Sequence, residues 1–133
     1  MIDADRTWFA HYDEVPAGSW AWPHFQPREV ACHGSASLLI STPALDTLER
    51  MRVAVGRPMI LLSAYRSEAH NAIVGGAALS EHLLGHAFDI ELRGHDRSRL
   101  TFEAAQAGFT GFGYYGSFLH VDTGRRRSWG SWN

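Results

Sequence analysis

The sequence has a single cysteine, Cys32, and no lysine among its 133 residues. One thiol cannot close an intrachain disulfide, so a disulfide-framed scaffold is excluded. Cys32 itself reads as a small buried hydrophobe rather than a nucleophile. All 12 basic residues are arginine. The base composition of a GC-rich genome accounts for that more simply than a demand for bidentate anion contacts. Net charge is −2 with histidine neutral, so no basic excess points to nucleic acid or to an anionic membrane surface. No stretch approaches the roughly 20 apolar residues of a membrane span. The opening residues, MIDADRTWFAHYDEV, lack the basic and apolar blocks of an export leader. The expectation is a chain made as a soluble cytoplasmic protein and brought to any outside target by other means. Repeats and low-complexity linkers are also missing, and with them any sign of a second domain.

What is present suits one domain, residues 1–133, with 45% hydrophobic and 20% charged residues. Residues 1–36 are rich in aromatics (Trp8, Phe9, Tyr12, Trp20, Trp22, Phe25) and broken by Pro16, Gly18 and Pro23. They read as an N-terminal arm wrapped on the domain, with an exposed aromatic binding surface as the alternative. Residues 42–56 predict a helix with Thr42 as cap, Pro43 in the first turn and Gly56 as stop. The apolar run 58–65 predicts a buried strand, residues 67–74 a short helix ended by Gly75 and Gly76, and 86–92 a strand with Asp89 and Glu91 on one face. A further helix is expected over 97–107, then a turn or hairpin leading into a strand over 111–124. The fold class is therefore α+β: a small antiparallel sheet flanked by two or three helices.

Eight histidines raise the question of a metal. His11, His24 and His33 fall in the irregular arm and His95 in a turn, where surface or hydrogen-bonded roles suffice. His82, Asp89 and His120 differ. His82 ends a loop, Gly85 permits a tight turn, and Asp89 follows on a strand, so the two side chains can converge on one ion. His120 lies on a separate strand. Three N and O ligands leave a fourth position open, as in catalytic rather than structural zinc sites. On spacing alone, two buried, hydrogen-bonded histidines remain an equal reading.

The wording of the motifs adds to this. Ser80, His82, Gly85, Ala87 and Asp89 form S-x-H-x-x-G-x-A-x-D, followed later by the H-x-D of His120 and Asp122. Upstream, SAYRSEAHNAIVGGA supplies Ser63, Tyr65, Arg66, Ser67, Asn71, Val74, Gly75 and Gly76; downstream comes GFGYYGSFLHVDTGRRRSW. Together, from about Phe25 to Trp129, these resemble the zinc D-Ala-D-Ala carboxypeptidases, the murein endopeptidases and the phage endolysins that share the hedgehog-type zinc fold. The resemblance implies a zinc-dependent peptidase acting on stem or cross-bridge peptides of peptidoglycan. It implies one Zn2+ held by His82, Asp89 and His120. Arg66 would hold the scissile carbonyl oxygen or a substrate carboxylate, with a structural ion pair as its alternative. Ser80 would bond substrate near the ion or cap the His82 turn. Tyr115, with Tyr114 and Phe118, flanks the last ligand and would line the substrate groove or pack under the sheet.

One position departs from the pattern. Many relatives carry a carboxylate three residues before the last histidine ligand, as general base; Ser117 stands there. Asp122, on the same strand face as His120, is the nearest replacement. It would serve as the base or steady the His120 ring, and relatives that hold an acid here beside their own base favour the second role. Glu68 is a weaker candidate. The missing carboxylate also motivates a competing expectation, a metal-stabilised module that grips wall peptides without cutting. A chain with no export leader further suggests delivery by lysis or a phage-like particle; a third expectation is a structural protein within a larger particle.

Overall fold

The computed structural model describes residues 6–132. Its elements in chain order are β1 (Arg6–Phe9), α1 (Pro27–Val30), β2 (Leu38–Ser41), α2 (Thr42–Val55), β3 (Leu61–Ser63), α3 (Glu68–Ile73), β4 (Ala87–Glu91), α4 (Arg97–Ala107), β5 (Gly111–Tyr114), β6 (Phe118–Asp122) and β7 (Arg127–Gly130). The class is α+β, as expected. β1 and β2 form a two-stranded antiparallel ribbon, and the other five strands form a sheet in the order β3-β4-β6-β5-β7.

Period-two alternation builds the main sheet. On β4, Phe88 and Ile90 point to one side, and on β6 so do Leu119 and Val121; all four are buried in the core. Helices α2 and α4 cover that side with Leu45, Leu48, Met51, Leu100 and Ala104. The other side of the same two strands carries Ala87, Asp89 and Glu91 opposite Asp122, His120 and Phe118. Neighbours across an antiparallel pair lie close enough for their side chains to interact. The sheet therefore places a hydrophobic core beneath it and a polar constellation above it.

Local chemistry explains where the elements begin and end. Helix α2 is capped one residue earlier than expected: the Ser41 hydroxyl accepts from the Ala44 N–H at 3.4 Å, and Thr42 is already helical. Asp96 caps α4, accepting from the Arg99 N–H at 2.8 Å. The strand expected over 58–65 is shorter, because the ladder with β4 shifts register between Leu61 and Ser63. The N-terminal segment is less irregular than its punctuation suggested. β1 pairs in register with β2, and Trp22, Phe25, Val30 and Ala31 enter the core. Residues 1–5 of the expected arm lie outside the described residues.

The sheet is also not purely antiparallel. Residues 127–130, to which the sequence reading gave no element, add β7 parallel to β5. Arginine and tryptophan in this tail do not announce a strand, and its partner is distant in sequence.

Candidate metal centre

Each of the three expected ligands is set by a different local device. His82 sits in a 3-10 turn, Glu81–Leu84, whose cap is Ser80; the Ser80 hydroxyl accepts from the His82 N–H at 3.1 Å. Gly85 closes that turn at φ +72, where a Cβ would press on the Leu39 carbonyl oxygen. A side chain is excluded both by conformation and by space. β4 then begins within two residues and presents Asp89. His120 faces Asp89 directly across the β4–β6 ladder.

The three side chains are buried, and one ligand atom of each lies within 4.8 Å of the others. Asp89 Oδ1 is 3.2 Å from His82 Nε2 and 2.9 Å from His120 Nδ1. The far nitrogens of both rings are held. His82 Nδ1 lies 2.6 Å from the Ala64 carbonyl oxygen, and His120 Nε2 lies 2.7 Å from Asp122 Oδ2. A carbonyl oxygen only accepts, so His82 Nδ1 carries the proton and Nε2 presents a lone pair. The Asp122 carboxylate assigns His120 the same way, leaving Nδ1 with the lone pair. Two imidazole lone pairs then face one carboxylate oxygen in a buried site, a mutual repulsion that a cation between them would relieve. Histidine ligands of zinc are anchored in this manner, by a carboxylate or carbonyl behind the ring. The donor set, two imidazole nitrogens and a carboxylate, suits zinc with an open position.

The local electrostatics point the same way. Without a metal, burial works against the Asp89 charge, yet proton-bearing His120 and His82 rings beside it would hold its carboxyl below the ordinary range. Burial likewise opposes a charged His120, and Asp122 and Asp89 outweigh it to raise the imidazole pKa.

Two residues outside the expected set complete the constellation. Arg127, on β7, forks onto Asp122 with Nη1 to Oδ1 at 2.9 Å and Nη2 to Oδ2 at 3.0 Å. Asp122 is fully buried (0% exposed) and also accepts from the Gly124 N–H. Despite burial, His120 and Arg127 hold it at a pKa of about 2. Every oxygen of Asp122 is thus engaged, and it sits behind the His120 ring rather than on the ligand side. Asn71 is the second. Its Oδ1 accepts from Arg66 Nη1 at 3.2 Å, and its Nδ2 donates to the Ala77 carbonyl at 2.9 Å.

Arg66 also donates from Nε to Ser63 Oγ and from Nη2 to Asp89 Oδ2. The guanidinium has more N–H bonds than these contacts use. Arg66, Ser80, His82, Asp89, Tyr115 and His120 all line one open cavity of about 550 Å³. Tyr115 is 40% exposed, stacks on Phe118 at 4.4 Å, and accepts from Trp129 Nε1 at 2.8 Å. Glu68 and Ser117 are exposed and are not among the residues lining the cavity. Of the other histidines, His11 accepts from the Asp13 N–H, His24 pairs with Glu49 and His95 meets the Pro58 carbonyl.

Fold and site together describe an α+β protein with a His-Asp-His cluster that could hold one metal ion, lining an open cavity. The chain belongs to the peptidase M15 family, which it matches over residues 23–122. It is similar to the peptidoglycan L,D-endopeptidase MepK of Escherichia coli strain K12, with 34% identity over 93 residues, 63% of this chain and 51% of that protein. It is also similar to the zinc D-Ala-D-Ala carboxypeptidase of Streptomyces albus G, with 38% identity over 88 residues, 62% of this chain and 34% of that protein. The chain thus spans about half, or less, of the length of these relatives. No described helix is long and apolar enough to cross a membrane.

Proposed function

We propose that the chain is one zinc peptidase domain that hydrolyses amide bonds in peptidoglycan stem or cross-bridge peptides. The observation that carries this reading is the anchored ligand set, with both metal-facing nitrogens freed by acceptors behind the rings, opening on a cavity that Arg66 lines. The names of the two relatives supply the substrate class. Neither is named for a phage or a particle, so a phage-like carrier forms no part of the reading.

Zinc bound to His82 Nε2, Asp89 and His120 Nδ1 would supply Lewis acidity for activating water and polarising a peptide carbonyl at neutral pH. The remaining work falls to the chain's own side chains. Arg66, steadied by Ser63, Asn71 and Asp89, offers its spare N–H bonds to the oxygen that becomes negative, where a pre-oriented donor contributes most. Tyr115 Oη accepts from Trp129, which leaves its own O–H to donate to substrate. Ser80 already caps the His82 turn, and we assign it that holding role next to the substrate. Asp122 orients His120; its saturated oxygens make it a poor proton acceptor for the reaction.

A second reading, a zinc-stabilised module that grips wall peptides without cutting, is favoured by one observation. Asp89 and Asp122 are fully engaged, and Ser117 has no group that accepts a proton at neutral pH. Purified peptidoglycan incubated with zinc-loaded protein separates the two. New amino groups, absent with His120→Ala, are expected for a peptidase. Zinc-dependent co-sedimentation with no amino groups released would instead establish the binding module.

A further inference from the structure

One carboxylate on the cavity wall is not consumed by the metal centre. Asp89 is occupied by two histidines and Arg66, and Asp122 by His120, Gly124 and Arg127. Glu81 also lines the cavity. Its Oε1 lies 3.0 Å from His86 Nδ1, and among the described residues its Oε2 has no hydrogen-bond partner. The carboxylate rests over the turn between β6 and β7 because residue 124 is glycine; a Cβ there would come within 2.8 Å of Glu81 Cδ. Both arginines of the cavity, Arg66 and Arg127, hydrogen-bond to aspartates, and Arg127 acts on Glu81 only through space. Glu81 is thus the acidic group of this cavity with capacity left for a ligand. The same cavity carries the stacked Tyr115 and Phe118 rings, an apolar surface suited to an alkyl chain.

We propose that Glu81 anchors a subsite for an alkylammonium side chain, that of a diamino-acid residue in the substrate peptide. An apolar stem would lie against the rings and the ammonium tip would meet Glu81 Oε2. A charge-assisted hydrogen bond from a cationic donor is stronger than a neutral one. This inference rests on the peptidase reading for its substrate class.

The test uses two synthetic stem-type peptides that differ only in carrying lysine or norleucine at the central residue. Wild type and Glu81→Gln, each zinc-loaded and with zinc content measured, are compared for cleavage and for binding by calorimetry. Wild type is expected to favour the lysine peptide by about tenfold or more in kcat/KM. Glu81→Gln should erase that preference, keep its zinc, and cleave the norleucine peptide within about twofold of wild type. Equal cleavage of both peptides by wild type overturns the subsite. So does an equal loss on both peptides in Glu81→Gln, which would mark Glu81 as a proton carrier or a brace of the turn. If wild type binds zinc and cuts neither peptide, the peptidase reading fails, and calorimetry decides the subsite alone. A lysine preference in binding that Glu81→Gln abolishes then supports it, and equal binding of the two peptides refutes it.

Discussion

Replacing Asp122 by asparagine should exchange the tautomer of His120 and weaken the metal centre from behind. Asparagine keeps the shape of the side chain but turns one acceptor oxygen into a donor NH2. Asp122 now accepts from four donors: Arg127 twice, Gly124 N–H and His120 Nε2. The asparagine oxygen is expected to stay with Gly124 and Arg127 Nη1, the two donors on Oδ1, because backbone and guanidinium cannot change role. The new amide N–H bonds then face Arg127 Nη2, which loses its acceptor, and His120 Nε2, which must become an acceptor. The ring proton moves to Nδ1, the atom that faces Asp89 and the ion. Loss of such an outer partner typically lowers metal affinity 10–100-fold, or about 1.4–2.7 kcal/mol. Competition with a chromophoric zinc chelator measures that change, and two-dimensional imidazole nitrogen NMR of the metal-free protein reads the tautomer. Arg127→Met is the control. It leaves the carboxylate and so the tautomer, and its side chain is 29% exposed, so water replaces part of the lost pairing. Its zinc affinity should fall less than that of Asp122→Asn, while stability drops by about 1–2 kcal/mol. An Asp122→Asn protein with unchanged zinc affinity and unchanged tautomer refutes the orienting role. If that protein also loses activity, Asp122 is the proton acceptor after all.

Further outcomes follow from the same geometry. His82→Ala removes a ligand and leaves the Ala64 carbonyl without its donor, so zinc per chain by elemental analysis should fall from about one to near zero. Asn71→Asp keeps the acceptor for Arg66 but loses the donor to Ala77, whereas Asn71→Ala loses both. The alanine variant should lose about tenfold in kcat/KM and the aspartate variant markedly less; equal losses would place the importance of Asn71 in the loop rather than in Arg66. Gly85→Ala forces a Cβ onto the Leu39 carbonyl at φ +72. It should cost about 2–3 kcal/mol and roughly 10 °C in Tm by calorimetry.

Much of the site was legible in the sequence, for identifiable reasons. His82, Gly85 and Asp89 are close in sequence and joined by one turn, so their convergence follows from local geometry. His120 was reachable because period-two alternation puts it on the face away from Leu119 and Val121. Asp122 could be placed on that face too, but its role depended on what lay behind it. That partner, Arg127, is a neighbour only because residues 127–130 join β5 in parallel, and no local pattern encodes such a pairing. Asn71 lay within a recognised stretch, yet its two bonds span a loop whose path Gly75 and Gly76 leave open. Boundaries slipped where one hydroxyl could replace another, as with Ser41 for Thr42, or where a register shift shortened a ladder, as in β3.

The two-sidedness of β4 and β6 has a consequence for how errors in assembly would be felt. A slip of one residue along this ladder would turn His120 and Asp122 into the apolar layer under α2 and α4, and bring Leu119 and Val121 up to face the cavity. Buried charges would lose their partners just as the core lost two of its aliphatic side chains. No intermediate register is tolerable, so correct alignment is enforced from both faces at once. The same few residues that make a misaligned chain unstable are those that make the aligned one able to hold its ion.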